Sequence, residues 1–156
     1  MTATWFSALG KALSADEQRD VAAYLAGLGI SASIGPVASW EEASALCRRR
    51  SNEWWNAEEA ERARLEQRAP LDPADPQWLA LNAALHGAAS AAAERAGCTD
   101  AALIYAAAGA ASYAAYHERL ARAAGAAAEH PFHRKYALYC AGHWPLGVYD
   151  AQFRIF

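Results

Sequence analysis

The stretch HPFHRKYALYCAGH carries the densest set of ligand-type side chains: His130, His133, Cys140 and His143, spaced H-x2-H-x6-C-x2-H. Zinc accepts such a mixture of imidazole and thiolate ligands. One ion would nevertheless be hard to share. On a helix starting at residue 131, His133 and Cys140 lie on one face but about 10.8 Å apart, whereas zinc sits about 2 Å from each ligand. The plainer role for these four is a buried cysteine and amphipathic histidines where a helix meets a hairpin. Cys140 with His133 or His143 is also the one thiol–imidazole pairing that could make a nucleophile, with Arg134 and Lys135 supplying positive charge. Free cysteine is more often simply buried.

Two further groups could act on a ligand or a partner. Asn82, His86, Tyr113 and His117 fall on two helices expected to run antiparallel, where they could form a polar pocket or a self-satisfied buried network. Arg48, Arg49, Trp54, Trp55 and Arg62 combine the residue types enriched at protein-binding hot spots. Their acidic neighbours Glu53, Glu58, Glu59 and Glu61 offset the charge that nucleic acid would need. For each residue singly, ordinary core packing or a solvated face is the bland alternative.

Known catalytic motifs are missing. His117-Glu118 begins like H-E-x-x-H, but residue 121 is alanine, so the second zinc ligand one turn on is lacking. No E-x-x-H pair, G-x-S-x-G elbow, P-loop or G-x-G-x-x-G turn occurs. The segment DVAAYLAGL at 20–28 resembles the last helix of c-type cytochromes, yet the chain contains no C-x-x-C-H to attach haem.

The elements that must position these groups read as mainly helical. About 43 of the 156 residues are alanine, which loses no side-chain entropy in a helix. Ser14 with Glu17 forms a capping box that opens a helix over 15–28. A shorter helical turn is expected over Trp5–Ala12, and a short strand or extended loop over 30–37. Ser39 with Glu42 opens a charged helical segment from 40 to about 69, with Ser51-Asn52 as an interruption. PLDPADP at 70–76 is a linker, since three prolines cannot lie inside a helix. It should separate two helical hairpins.

Helices over 77–96 and 100–124, the second capped by Thr99, should form an αα-hairpin. Ala83, Gly87 and Ser90 would face Ala106, Gly109 and Ser112, while Trp78, Leu81, Leu85, Leu103, Ile104, Tyr105, Tyr113 and Leu120 supply bulk. A last helix runs from Pro131 to about residue 141. The tail alternates as a β-hairpin about Asp150-Ala151, although a type I′ turn prefers glycine where Ala151 stands. The expectation is a single domain over 1–156: a mainly α, compact bundle of about five helices with a small C-terminal β-hairpin element, to which residues 30–34 can add.

A net charge of −3 and a pI near 5.9 give no general attraction to nucleic acid or acidic membranes. Three unpatterned cysteines and an N-terminus without a signal-peptide pattern favour a cytoplasmic setting. Arginine outnumbers lysine 12 to 2, which with the alanine hints at a GC-rich bacterial source. The leading functional expectation is a small interaction protein, like adaptor or immunity proteins in size and composition only, which occludes another protein through Arg48, Arg49, Trp54, Trp55 and Arg62. It takes no cofactor, nucleic acid or membrane, and a homodimer stays open. The alternative is a small-ligand or metal-binding protein, an enzyme included, with zinc at His130, His133, Cys140 and His143 or a ligand at the His86/His117 group.

Overall fold

The computed structural model describes residues 3–156, which hold six helices and a small sheet. α1 spans Ala15–Gly27, and both halves of its capping box form: Ser14 Oγ accepts from the Glu17 amide, and the Glu17 carboxylate accepts from the Ser14 amide. Val21, Tyr24 and Leu25 bury its inner face. The segment before it departs from expectation, because residues 5–10 make turns rather than a helical turn. Phe6 adopts a φ of 56°, and its ring is buried beside Trp40 and Trp144. Burying that ring outweighs the cost of a left-handed backbone.

β1 (Ser33–Pro36) runs parallel to β3 (Gln152–Ile155), which pairs antiparallel with β2 (Pro145–Tyr149), giving the order β1-β3-β2. Asp150 and Ala151 take φ of 53° and 60°, the signs a type I′ turn requires. Ala151 is locally unsuited, but long-range contacts hold the turn. The Asp150 carboxylate accepts two hydrogen bonds from Arg49, the Ser33 amide donates to the Ala151 carbonyl, and Phe153 just beyond is fully buried.

α2 (Trp40–Cys47) and α3 (Asn52–Arg68) divide where Ser51-Asn52 interrupts the charged segment. Ser51 Oγ donates to the Val148 carbonyl and accepts from the Val148 amide, so it ties the start of α3 to β2 rather than capping the helix. α4 (Pro76–Arg95) and α5 (Ala101–Ala123) form the expected hairpin. The cap of α5 is Asp100, not Thr99, since its carboxylate reaches the amides of Ala102 and Leu103.

The hairpin seam also differs in detail. Ala89, Ala92 and Ala93 of α4 and Ala107, Ala108, Ala111 and Ala114 of α5 are buried, whereas Ala83 and Gly87 are exposed. Leu81 and Tyr105 do not supply core bulk: they are 57% and 71% exposed. Leu81 lies on α4, which packs chiefly against α5 and leaves its outer face in solvent, while Tyr105 of α5 lies against the His86 ring of α4 with the rest of its side chain in solvent.

α6 (Pro131–Cys140) packs against both α1 and α5. It ends at Gly142, whose φ of 97° and approach to the Ala8 amide leave no room for a Cβ. No helix of the described residues is long and apolar enough to cross a membrane.

Candidate functional site

α6 carries an unusual share of the polar side chains near the core, and each finds an acid on another helix. His130 Nε2 lies 2.7 Å from Glu61 Oε1 of α3, and His133 Nδ1 lies 2.5 Å from Glu118 Oε2 of α5. Arg134 reaches Asp20 of α1 at 2.9 Å, and Lys135 reaches Glu58 of α3 at 2.5 Å. Just past the helix, His143 Nε2 is 3.4 Å from Glu17 of α1. Proximity to charged partners holds these elements in register.

The suspected metal ligands therefore go separate ways. His130, His133 and His143 each face a different glutamate, and Cys140 is buried, which pushes its thiol pKa up. A raised pKa leaves the sulfur a poor nucleophile. Among the described residues no group of three or more His, Cys, Asp or Glu side chains is placed to hold a metal ion. Helical spacing explains the result, because two turns carry His133 and Cys140 to different neighbours.

The ligand group is divided as well. His86 packs on Tyr105, with ring centroids 5.2 Å apart, while Tyr113 and His117 pair at 4.1 Å. Asn82 is half-buried on α4 and does not line the cleft described next. His117 is fully buried, stacked flat on Phe132 at 4.0 Å, and neither ring nitrogen meets a protein partner among the described residues. Burial, then the nearby positive charges of Lys135 and Arg62, press its pKa well below 6.5.

A cleft of about 680 Å³ lies between α3 and α5, with α6 as its floor. α3 contributes Trp54, Trp55, Glu58, Glu59, Arg62 and Glu66, in which the i, i+4 series 54, 58, 62, 66 places successive turns along one edge. α5 contributes Tyr113 and Tyr116, with Gly109 and Ala110 leaving its middle bare. A Cβ at Gly109 would meet nothing within 4 Å, so the cleft is open there. Lys135 and Tyr139 of α6 close the bottom.

The electrostatics of this cleft are closed on themselves. Lys135 and Glu58 are 2% and 1% exposed, and Tyr24 donates its phenol proton to the same Glu58 carboxylate. The Trp54 indole N–H donates to Tyr24 Oη at 2.5 Å. Lys135 Nζ stands 5.0 Å from the centroid of the Trp54 ring and 5.9 Å from that of Tyr113, so its remaining protons face aromatic surfaces. At the upper edge Arg62 bridges Glu59 and Glu66, and the phenols of Tyr113 and Tyr116 donate to those same two carboxylates.

Titration follows from these contacts. The Arg62 hydrogen bond, aided by Tyr113, holds Glu59 below the usual carboxylate range, and Tyr116 followed by Arg62 does so for Glu66. Burial and then Glu66 push the Tyr116 phenol up to about 12; burial and Glu59 raise Tyr113 as well. Trp55 lies parallel to Tyr113 with centroids 6.1 Å apart, and Tyr113 parallel to Tyr116 at 6.4 Å. Near-parallel aromatic rings thus line the cleft from both α3 and α5.

Of the expected partner-binding residues, Trp54, Trp55 and Arg62 line this cleft, Arg49 is engaged with Asp150, and Arg48 is exposed. They do not share one free face. Trp54 is half-buried in the cleft wall and Arg62 is locked between two glutamates. Tyr113, expected in the ligand group, joins them. Tyr24, Glu66, Gly109 and Tyr139 carried no site expectation from sequence, Lys135 was expected only to lend charge near Cys140, and Glu58 only to offset the neighbouring arginines. The four-residue series on α3 was their one visible trace, since pairing between α3 and α6 is a long-range fact. No family model matches the chain, and no curated protein or solved structure matches it significantly.

Proposed function

We propose that the chain binds a small, planar, largely apolar molecule in the cleft between α3 and α5. The observation that carries this reading is the open, aromatic-walled volume itself. About 680 Å³ falls within the range of small-molecule sites, and the wall offers stacking faces with few free polar groups. Charged groups at its edges and floor are already paired, so recognition there rests on stacking and shape. The reading takes the ligand-binding alternative and moves it from the His86/His117 group to the neighbouring face of α5. It assigns no reaction.

A thermal-shift screen with a panel of planar aromatic fragments tests it, run on the wild type and on Gly109→Leu. A Cβ at 109 meets nothing within 4 Å, and Gly109 lines the cleft, so leucine there is expected to take up part of its volume. Fragments that raise the melting temperature of the wild type and lose their effect in Gly109→Leu are expected. Equal responses from both proteins, or none from either, would overturn the reading.

Occlusion of a partner protein remains a second reading, favoured by one observation. Trp55 is 42% exposed and stands near the consecutive exposed Arg48, Arg49 and Arg50. Arg48→Ala with Arg49→Ala should then abolish capture of a stoichiometric partner while leaving the cleft fragments bound. Unchanged capture would retire it.

A further inference from the structure

The cleft does not end at its tryptophans. A second hollow of about 350 Å³, lined by Arg49, Arg50, Ser51, Trp54, Trp55 and Tyr149, shares Trp54 and Trp55 with it. The two indoles are a common wall, so a molecule seated against one side can continue onto the other.

The charges of the two compartments differ. In the inner cleft, Lys135 is matched by Glu58 and Arg62 by Glu59 and Glu66. A ligand charge placed there would have to break a buried or half-buried pair. In the outer hollow, Arg49 makes two hydrogen bonds to Asp150 and lies over the Tyr149 ring at 5.2 Å. Arg50 is exposed and makes no ion pair or side-chain hydrogen bond among the described residues. It is the one lining cation in either compartment without an acid opposite.

We infer that the natural ligand is an aromatic anion: a planar body lodged in the inner cleft, with a carboxylate, sulfonate or phosphate substituent reaching over the Trp54–Trp55 wall to Arg50. This rests on the reading of the cleft as a small-molecule site and adds the ligand's charge and orientation. The rim position suits the charge, since a guanidinium fork matches such oxyanions and solvent at the rim limits their desolvation.

Two fluorescent probes of similar shape separate the claims: anilinonaphthalene sulfonate, which is anionic, and N-phenylnaphthylamine, which is neutral. Each is titrated into the wild type, Arg50→Gln and Gly109→Leu. The sulfonate should bind the wild type several-fold more tightly than the neutral probe, an advantage that shrinks with added salt. Arg50→Gln should bring the two affinities together by weakening the sulfonate alone, and Gly109→Leu should weaken both probes. If Gly109→Leu weakens both but the sulfonate has no advantage, or keeps it in Arg50→Gln, the anion inference is overturned and the cleft reading stands. If Gly109→Leu leaves both probes bound as before, or neither binds the wild type, the cleft reading fails and the inference with it.

Discussion

α5 presents two faces built from equally small residues, and they behave in opposite ways. On its buried side, Ala107, Ala108, Ala111 and Ala114 share one closely packed apolar cluster with Ala89, Ala92 and Ala93 of α4, the helix α5 pairs with most extensively. Toward α3, Gly109 and Ala110 meet Trp54, Trp55 and Arg62, whose ion pairs and stacking hold them upright, and a cleft remains. Small residues bring helices together only when the opposing residues are also small. Opposite long side chains braced by their own partners, they leave space.

The largest test of that contrast is at the cleft floor. Lys135→Met strands the Glu58 carboxylate in a buried site and should cost about 3–5 kcal/mol in chemical denaturation, with much of the loss recovered by pairing it with Glu58→Leu. A loss under about 1 kcal/mol for Lys135→Met would show that the pair is not buried as described. Next come two insertions of the same side chain into α5, two residues apart. Ala111→Leu enters the closed seam and should destabilise by about 1–3 kcal/mol. Gly109→Leu enters the cleft and should be neutral or stabilising by up to about 1 kcal/mol, because a helical glycine is replaced at an unobstructed position. Equal penalties in thermal melts would erase the distinction between the faces.

The smallest effect at neutral pH concerns His117, which lies beneath Tyr113. Replacing it by phenylalanine removes two unpaired ring nitrogens, keeps the stack on Phe132, and should leave stability within about 1 kcal/mol of wild type. Its signature is in the pH dependence. The folded-state pKa is depressed below 6.5, so below that value the unfolded chain binds the proton that the folded chain refuses. Stability contributed by neutral His117 is complete above about pH 7 and declines as the pH falls below about 6.5. His117→Phe should flatten that decline in denaturant titrations between about pH 6.5 and 5. A wild-type curve equally steep in the variant would place the slope elsewhere.

Much of the architecture was legible in local signals. The capping box at Ser14, the interruption at Ser51, the proline-rich connection after α3 and the alternating tail all sit where their chemistry puts them. Local rules misled where distant contacts decided. Ala151 enters a left-handed turn because Arg49, Ser33 and buried Phe153 hold it, and Phe6 does so to bury its ring. Leu81 has helical spacing suited to a core, yet no element covers the outer side of α4. The site was legible only as fragments. Trp54, Trp55 and Arg62 stood out by type and Tyr113 by its helix, but nothing in the spacing set Lys135 opposite Glu58, 77 residues away. The histidine cluster drew attention for its density, whereas in the fold its members are dispersed among three helices' acids.

The central claim is that the α3/α5 cleft receives a planar ligand, and the chain's own indoles report on it directly. Six tryptophans give six indole N–H resonances, of which Trp54 and Trp55 line the cleft while Trp40 and Trp144 pack together elsewhere in the core. Titrating N-phenylnaphthylamine into the nitrogen-labelled protein should shift the Trp54 and Trp55 signals together, saturably, with Trp40 and Trp144 unmoved. Signals of Trp54 and Trp55 that stay fixed while the probe binds, or shifts confined to the other indoles, would contradict the account.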